Sequence, residues 1–240
     1  MDIEGKVVVI TGASSGIGAA LARLVHQRGG IPVLAARRED RIEALAVELD
    51  GALAVPTDVC DDAQLQALLD ATLERHGRID VLVNNAGQGM SAKVEDMPLD
   101  DLRKIIEVNL IYPAVAIRLV APIMRKQGGG TILNVSSGTS RVPFAIPGYA
   151  AYASAKSGLN KLTETARAEL AADGITVSVI LPFITDTEFH DVQIKVGDAQ
   201  RPAVPIEPHT AEYAAEKMLE LIASGDAELL LAPDSVEPPA

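Results

Sequence analysis

Short runs of branched apolar residues alternate along the chain with longer, helix-like stretches. The runs are KVVVIT, PVLAA, ALAVPTD, DVLVNNAG, GTILNVSS, ITVSVILP and ELLLAP. Each is apolar at neighbouring positions, as in a strand covered on both faces of a parallel sheet. The stretches between them predict helices over Gly16–Gly29, Glu39–Leu49, Asp62–His76, Leu99–Lys126, Tyr152–Ala172 and Ala211–Ser224. This alternation predicts right-handed crossovers and an α/β, doubly wound, seven-stranded parallel sheet with helices on both faces, in one domain over 1–240. The pattern breaks only between Pro182 and Thr210, a stretch with no clear period and four prolines. A loop of that length in a compact domain is usually functional, so 183–209 is expected to border a substrate, while the tail 235–240 is expected to fray.

Composition narrows the function classes. Hydrophobic residues make up 48% and charged residues 22%, ordinary for a folded globular chain. The formal net charge of -12 argues against a nucleic-acid or anionic-membrane surface. Cys60 is the single cysteine, expected to be a small buried packing residue, so no internal disulfide forms and a reducing compartment fits. No charged head with a long apolar stretch opens the chain, and no apolar run reaches bilayer-spanning length, so a cytoplasmic location is expected. His26, His76, His190 and His209 show no ligand spacing, and no metal site is expected.

Two stretches carry candidate chemistry. TGASSGIG follows the first strand and opens the first helix, so Gly12, Ser14, Ser15, Gly16, Ile17 and Gly18 form a candidate phosphate cradle. Glycines there permit positive φ and close backbone approach, and the helix N-terminus offers unpaired amides. In GYAAYASAKSG, Tyr152 shares a helix face with Lys156, four residues on, whereas the equivalent partner of Tyr149 is Ala153. Only Tyr152 therefore has a cation placed to lower its phenol pKa from about 10.

The run TGxxxGIG, NNAG at Asn84–Gly87, and a serine, tyrosine and lysine in that order resemble the short-chain dehydrogenase/reductase family over nearly the whole chain. The resemblance implies a Rossmann fold and an oxidoreductase that interconverts a ketone or aldehyde and an alcohol with a nicotinamide dinucleotide. It implies Tyr152 as general acid/base, Lys156 as its helper and ribose ligand, and Ser137 orienting the carbonyl. Asn109 would offer its main-chain carbonyl to a water connected to Lys156. Asp58 and Val59 would lie at the adenine, Asn85, Ala86 and Gly87 beside the cofactor, and Pro182, Thr185 and Thr187 near the nicotinamide. A homodimer or homotetramer is implied as well. Two departures stand out: Ser137 and Tyr152 are fifteen positions apart, two more than the family's common spacing, and Phe183 replaces the glycine of its Pro-Gly turn, which puts that turn's geometry in question.

Further expectations come from the residues themselves. Pro113 has no amide hydrogen to give the carbonyl of Asn109, so a kinked helix with that carbonyl free is expected. At the end of the second strand the position that is acidic in NAD-specific relatives is Ala36, followed by Arg37, a partner for a 2′-phosphate, and Arg38 as a second one, so NADP is expected over NAD. All three phenylalanines, Phe144, Phe183 and Phe189, fall in loops expected to border the site, joined by Val142, Ile146, Pro147 and Tyr149. They suggest an apolar pocket for a hydrophobic substrate of small to medium size. Two rival functions are a reductase of 3-oxoacyl groups on an acidic carrier protein, for which Arg125 and Lys126 could dock, and a non-catalytic NADP-binding regulator.

Overall fold

In the computed structural model of the chain, residues 2–141, 146–197 and 207–231 are described below. The strands are β1 (Val7–Thr11), β2 (Ile31–Ala36), β3 (Leu53–Pro56), β4 (Val81–Asn84), β5 (Met90–Ser91), β6 (Gly130–Val135), β7 (Ile175–Pro182), β8 (Ile194–Lys195) and β9 (Glu228–Leu231). The helices are α1 (Gly16–Gln27), α2 (Glu39–Glu48), α3 (Asp62–His76), α4 (Leu99–Ile106), α5 (Tyr112–Gln127), α6 (Ala150–Leu170) and α7 (Ala211–Ser224). Seven strands form one sheet in the order β3-β2-β1-β4-β6-β7-β9, every pair parallel.

Alternate residues of each run feed opposite layers, which is why the runs are apolar throughout. Val8 and Ile10 of β1 join a core built with α1, α2 and α7. Val7 and Val9 join the opposite core, with α3, α5 and α6. Fully burying each such side chain contributes about 1.5–3 kcal/mol, so the double coverage is the main stabilising term. The chain winds outward from β1 to β3, then returns to the other side of β1 as β4. Loops leaving β1 and β4 therefore diverge and open a crevice above the strand ends, the usual ligand position in such sheets.

The expected single helix over Leu99–Lys126 is instead interrupted. Five residues, Glu107–Ile111, form a π-helical segment between α4 and α5, and Pro113 stands in the first turn of α5. The Tyr112 amide donates to the Glu107 carbonyl, five residues back. Pro113 lacks the donor that would continue an α-helical ladder onto Asn109, so a register with one extra residue replaces the expected kink. By length and composition the combined helix Leu99–Gln127 could span a bilayer, contrary to the sequence reading, but 44% of its most apolar window is buried inside the fold. It is a core helix, with Tyr112, Ala116, Val120 and Met124 packed on the sheet. The segment after β7 is less irregular than its composition suggests. β8 pairs with β5 in a small second sheet, and Thr185 bridges His209.

Candidate active site

The turn after β1 is shaped by missing side chains. Gly12 and Gly16 have φ of 67° and 53°, and a Cβ on Gly12 would lie 2.8 Å from Asn85 Nδ2. Gly12, Ser14, Ser15, Gly16 and Ile17 line a large cleft. Gly18 does not. A Cβ there would run into the Gly12 carbonyl and Asn85 Nδ2, so its role is to let α1 close against the turn. The turn is braced from below by a buried polar ladder. Thr11 Oγ1 accepts from the amides of Asn85 at 2.9 Å and Ala86 at 3.1 Å, and lies 2.6 Å from the Tyr112 hydroxyl. Tyr112 donates to Asn84 Oδ1 at 3.1 Å, Asn84 Nδ2 to Asn134 Oδ1 at 2.8 Å, and Asn134 Nδ2 to Thr163 Oγ1 at 2.8 Å. This ladder joins five elements beneath the cleft, β1, β4, α5, β6 and α6, and satisfies groups that burial would otherwise penalise.

Along the rim, Ala36 is buried at the end of β2 and Arg37 is exposed. Arg38, expected as the second arginine, is the one seated on the cradle, donating from Nε to Ser14 Oγ at 3.0 Å and from Nη2 to Ser15 Oγ at 2.6 Å. Asp58 and Val59 line the same end, and one Asp58 oxygen accepts from the Cys60 amide at 3.0 Å. Cys60 is exposed rather than buried, because it stands on the loop after β3 and not in a core layer.

Tyr152, Lys156 and Ser137 converge at the other end, each under 8% exposed. Lys156 Nζ donates to the Val135 carbonyl at 2.8 Å and lies 5.7 Å from the centroid of the Tyr152 ring. Its burial lowers its pKa to about 7. The phenol of Tyr152 is raised above its ordinary value, not lowered: burial dominates, partly offset by the Ser137 hydroxyl. The lowering expected from Lys156 is outweighed by the cost of burying a phenolate. At neutral pH the site therefore presents a protonated phenol, a proton donor. Ser137 Oγ is held by the amide and hydroxyl of Thr139 at 3.3 and 3.0 Å.

Asn109 lies under this site rather than in the cleft. From the π-helical segment its Nδ2 donates to the carbonyls of Gln88 at 2.8 Å and Ile105 at 3.0 Å, and its Oδ1 accepts from the Gln88 amide at 3.4 Å. Its side chain thus ties down the loop after β4, and a Cβ on Gly87 would stand 3.0 Å from Asn109 Oδ1 and 3.6 Å from Lys156 Nζ.

The cleft encloses about 940 Å³ and is also lined by Asn85, Ala86, Gly87, Tyr149, Pro182, Phe183, Thr185, Thr187 and Phe189. Phe144 and Val142 lie outside the described residues, and with them part of the insertion between Ser137 and Tyr152. Phe183 has no positive φ, so the turn after β7 does not need the family's glycine. Its ring instead fills the space that the missing Cβ of Gly138 leaves open. Phe189 stacks at a tilt on Tyr152, ring centroids 5.6 Å apart. The sequence reading assigned no site role to Glu188, Arg41, His190, Ser136 or Tyr112. Glu188 lies inside the aperiodic stretch after β7 and carries no periodic signal, and Tyr112 reads as ordinary core.

A nicotinamide dinucleotide is the group this chemistry implies, and the residues fit one. The cradle excludes any β-carbon at Gly12, and at the far end the buried hydroxyl of Thr185 finds no partner among the described residues. A ligand amide there would supply one.

The family model described as short chain dehydrogenase matches residues 6–195. YxjF of Bacillus subtilis strain 168, described as an uncharacterized oxidoreductase, is 38% identical over 187 residues, covering 76% of this chain and 72% of the relative. An uncharacterized oxidoreductase of Staphylococcus saprophyticus is 38% identical over 194 residues, covering 79% of this chain and 78% of its own. Among solved structures, a 3-ketoacyl-(acyl-carrier-protein) reductase of Brucella melitensis complexed with NADH has a TM-score of 0.86 at 28% identity, covering 95% of this chain and 97% of that one. A short chain dehydrogenase/reductase of Burkholderia phymatum in complex with NAD has a TM-score of 0.85 at 29% identity, covering 96% and 90%. With the motifs in one cleft and the match running through both the cradle and the tyrosine site, the chain belongs to the short-chain dehydrogenase/reductase family and is an oxidoreductase of that type.

Proposed function

We propose that this chain is an NADP(H)-dependent reductase or dehydrogenase that interconverts a ketone or aldehyde and an alcohol on a small to medium, hydrophobic substrate. The observation that carries the reading is the meeting of Tyr152, Ser137 and Lys156 at one end of a cleft whose other end is the glycine cradle. The dinucleotide supplies or accepts hydride. Tyr152 donates its phenolic proton to the carbonyl oxygen in reduction and takes it back in oxidation. Ser137, held by Thr139, orients that oxygen. Lys156 binds the nicotinamide ribose and favours the phenolate as it forms. Asn109 positions the loop after β4, which forms the cleft wall beside Lys156.

The preference for NADP rests on Ala36, which offers no carboxylate to ribose hydroxyls, and on Arg38 on the cradle serines, with Arg37 beside it. Two solved relatives are complexed with NADH and with NAD, so the NADP reading rests only on this chain's own residues at the end of β2. Phe183, Phe189, Ile146 and Pro147 support a hydrophobic substrate, and the buried hydroxyl of Tyr149, without a partner among the described residues, suits one polar group on it. The carrier-protein reading is weakened because Arg125 is paired with Asp173 at 2.6 Å, leaving less free positive charge to dock an acidic partner. The regulator reading calls for a missing tyrosine or lysine, and both stand in place. We also propose a homodimer or homotetramer.

The test uses alkyl and aryl ketones with either cofactor, read by nicotinamide absorbance. Tyr152→Phe should lower kcat by about 10²–10⁴-fold with cofactor affinity nearly unchanged. Tyr149→Phe should act mainly on KM. An active Tyr152→Phe beside a dead Tyr149→Phe would overturn the assignment.

A further inference from the structure

Glu188, in the short 3-10 turn after β7, reaches across the mouth of the cleft to the arginines of the opposite rim. Its Oε2 accepts from Arg38 Nη1 at 2.8 Å and its Oε1 from Arg41 Nη1 at 2.8 Å. Every nitrogen of the Arg38 guanidinium is then engaged, with Ser14 on Nε and Ser15 on Nη2. Next to Glu188, Thr187 sits on the cradle itself, its Cγ2 3.0 Å from where a Gly16 Cβ would be. The turn is thus latched onto the dinucleotide end of the site, while Phe189 of the same turn packs against the Tyr152 ring. The two hydrogen-bonded arginines hold the Glu188 carboxyl down at about 2, so it is an anion throughout the working pH range.

With Arg38 as the phosphate-binding arginine of the proposed function, an anion on it stands where a 2′-phosphate would be held. The geometry points to Glu188 as a cofactor-discriminating latch: its carboxylate competes with the 2′-phosphate of NADP for Arg38 and Arg41, whereas NAD, which has no such group, leaves the latch closed. The inference rests on the assignment of Arg38 as the phosphate-binding arginine. It makes the preference for NADP smaller than the arginines alone would set, and it couples the choice of cofactor to the position of the turn that carries Phe189 beside Tyr152. Two anions sharing one guanidinium repel, and a repulsion of this size at the protein surface corresponds to about five- to twentyfold in relative affinity.

Isothermal titration calorimetry with NADP+ and with NAD+ on the wild type, Glu188→Gln and Glu188→Asp tests this without relying on turnover. The expected result is that Glu188→Gln raises the NADP-to-NAD affinity ratio about five- to twentyfold, while Glu188→Asp, which keeps the charge, moves it much less. If Glu188 only held the turn in place, its loss would weaken both cofactors together, and an unchanged or lower ratio in Glu188→Gln overturns the proposal. A wild type that prefers NAD outright would remove the NADP reading of the function. The direction of the Glu188→Gln shift would still decide the latch separately.

Discussion

Lys156 is a cation that the fold has taken out of water, and that fact has a consequence for stability. In the unfolded chain it stays protonated up to about pH 10.4. In the folded protein it gives up its proton near pH 7 because burial disfavours the charge. Between those values the unfolded chain binds more protons, so acidification through that window favours unfolding, and below it the penalty is constant. Lys156→Met lacks this dependence. The expected outcome is that denaturant unfolding of the cofactor-free proteins shows the variant gaining on the wild type by up to about 1.4 kcal/mol per pH unit as pH falls from 10 towards 7. Parallel pH curves for the two proteins would mean that Lys156 is not desolvated. The same burial bears on catalysis, since a lysine poised near neutrality responds strongly to a cofactor that brings negative charge and hydrogen-bond acceptors.

At the scale of elements, the ends of β6 and β7 are fitted to each other through an exchange of bulk. Phe183 follows β7, and the ring lies where a side chain on Gly138 would otherwise go. Adding a methyl group there forces the ring aside, and such overpacking costs about 1–3 kcal/mol. Gly138→Ala should therefore lower stability by that amount and raise substrate KM, because Phe183 forms part of the cleft wall. In the double variant Gly138→Ala with Phe183→Ala most of the strain should vanish, giving a coupling in a double-mutant cycle. Additive losses measured by chemical denaturation would show that the two positions do not compete for space. The π-helical segment is a second element-level device. Its extra residue lets Asn109 bond the loop after β4 while Tyr112, three positions on, reaches Thr11 and Asn84.

For the molecule as a whole, assembly is proposed at the long helix from Leu99. One face packs on the sheet, yet Leu99 and Ile111 remain 63% and 41% exposed, and Val94 just before it is 75% exposed. In the proposed homo-oligomer a second copy would cover this apolar surface. Light scattering should then give a mass that is a multiple of the single chain, and Ile111→Glu should shift it downward. A monomer at micromolar concentration would remove the proposal of a homodimer or homotetramer while leaving the site untouched.

The layered sheet, its seven strands and the position of the cradle were legible in the chain, because an apolar run covered on both faces is a local property and a glycine turn between strand and helix carries its own conformational reason. The pairing of Tyr152 with Lys156 was legible for the same cause, since four residues on a helix is a distance set by the helix alone. The Asn109 region was half legible: Pro113 announces a disturbed helix, but whether a kink or a π segment resolves it depends on what the neighbouring loop offers Asn109. The direction of the Tyr152 pKa shift was misread, because desolvation depends on everything packed around the ring and not on one neighbour. The contact of Arg38 with the cradle serines, the ring of Phe183 in the space beside Gly138, and Glu188 across the cleft were decided only by tertiary structure. Each joins residues from different elements, and no spacing along the chain records a distance that the folding of the sheet creates.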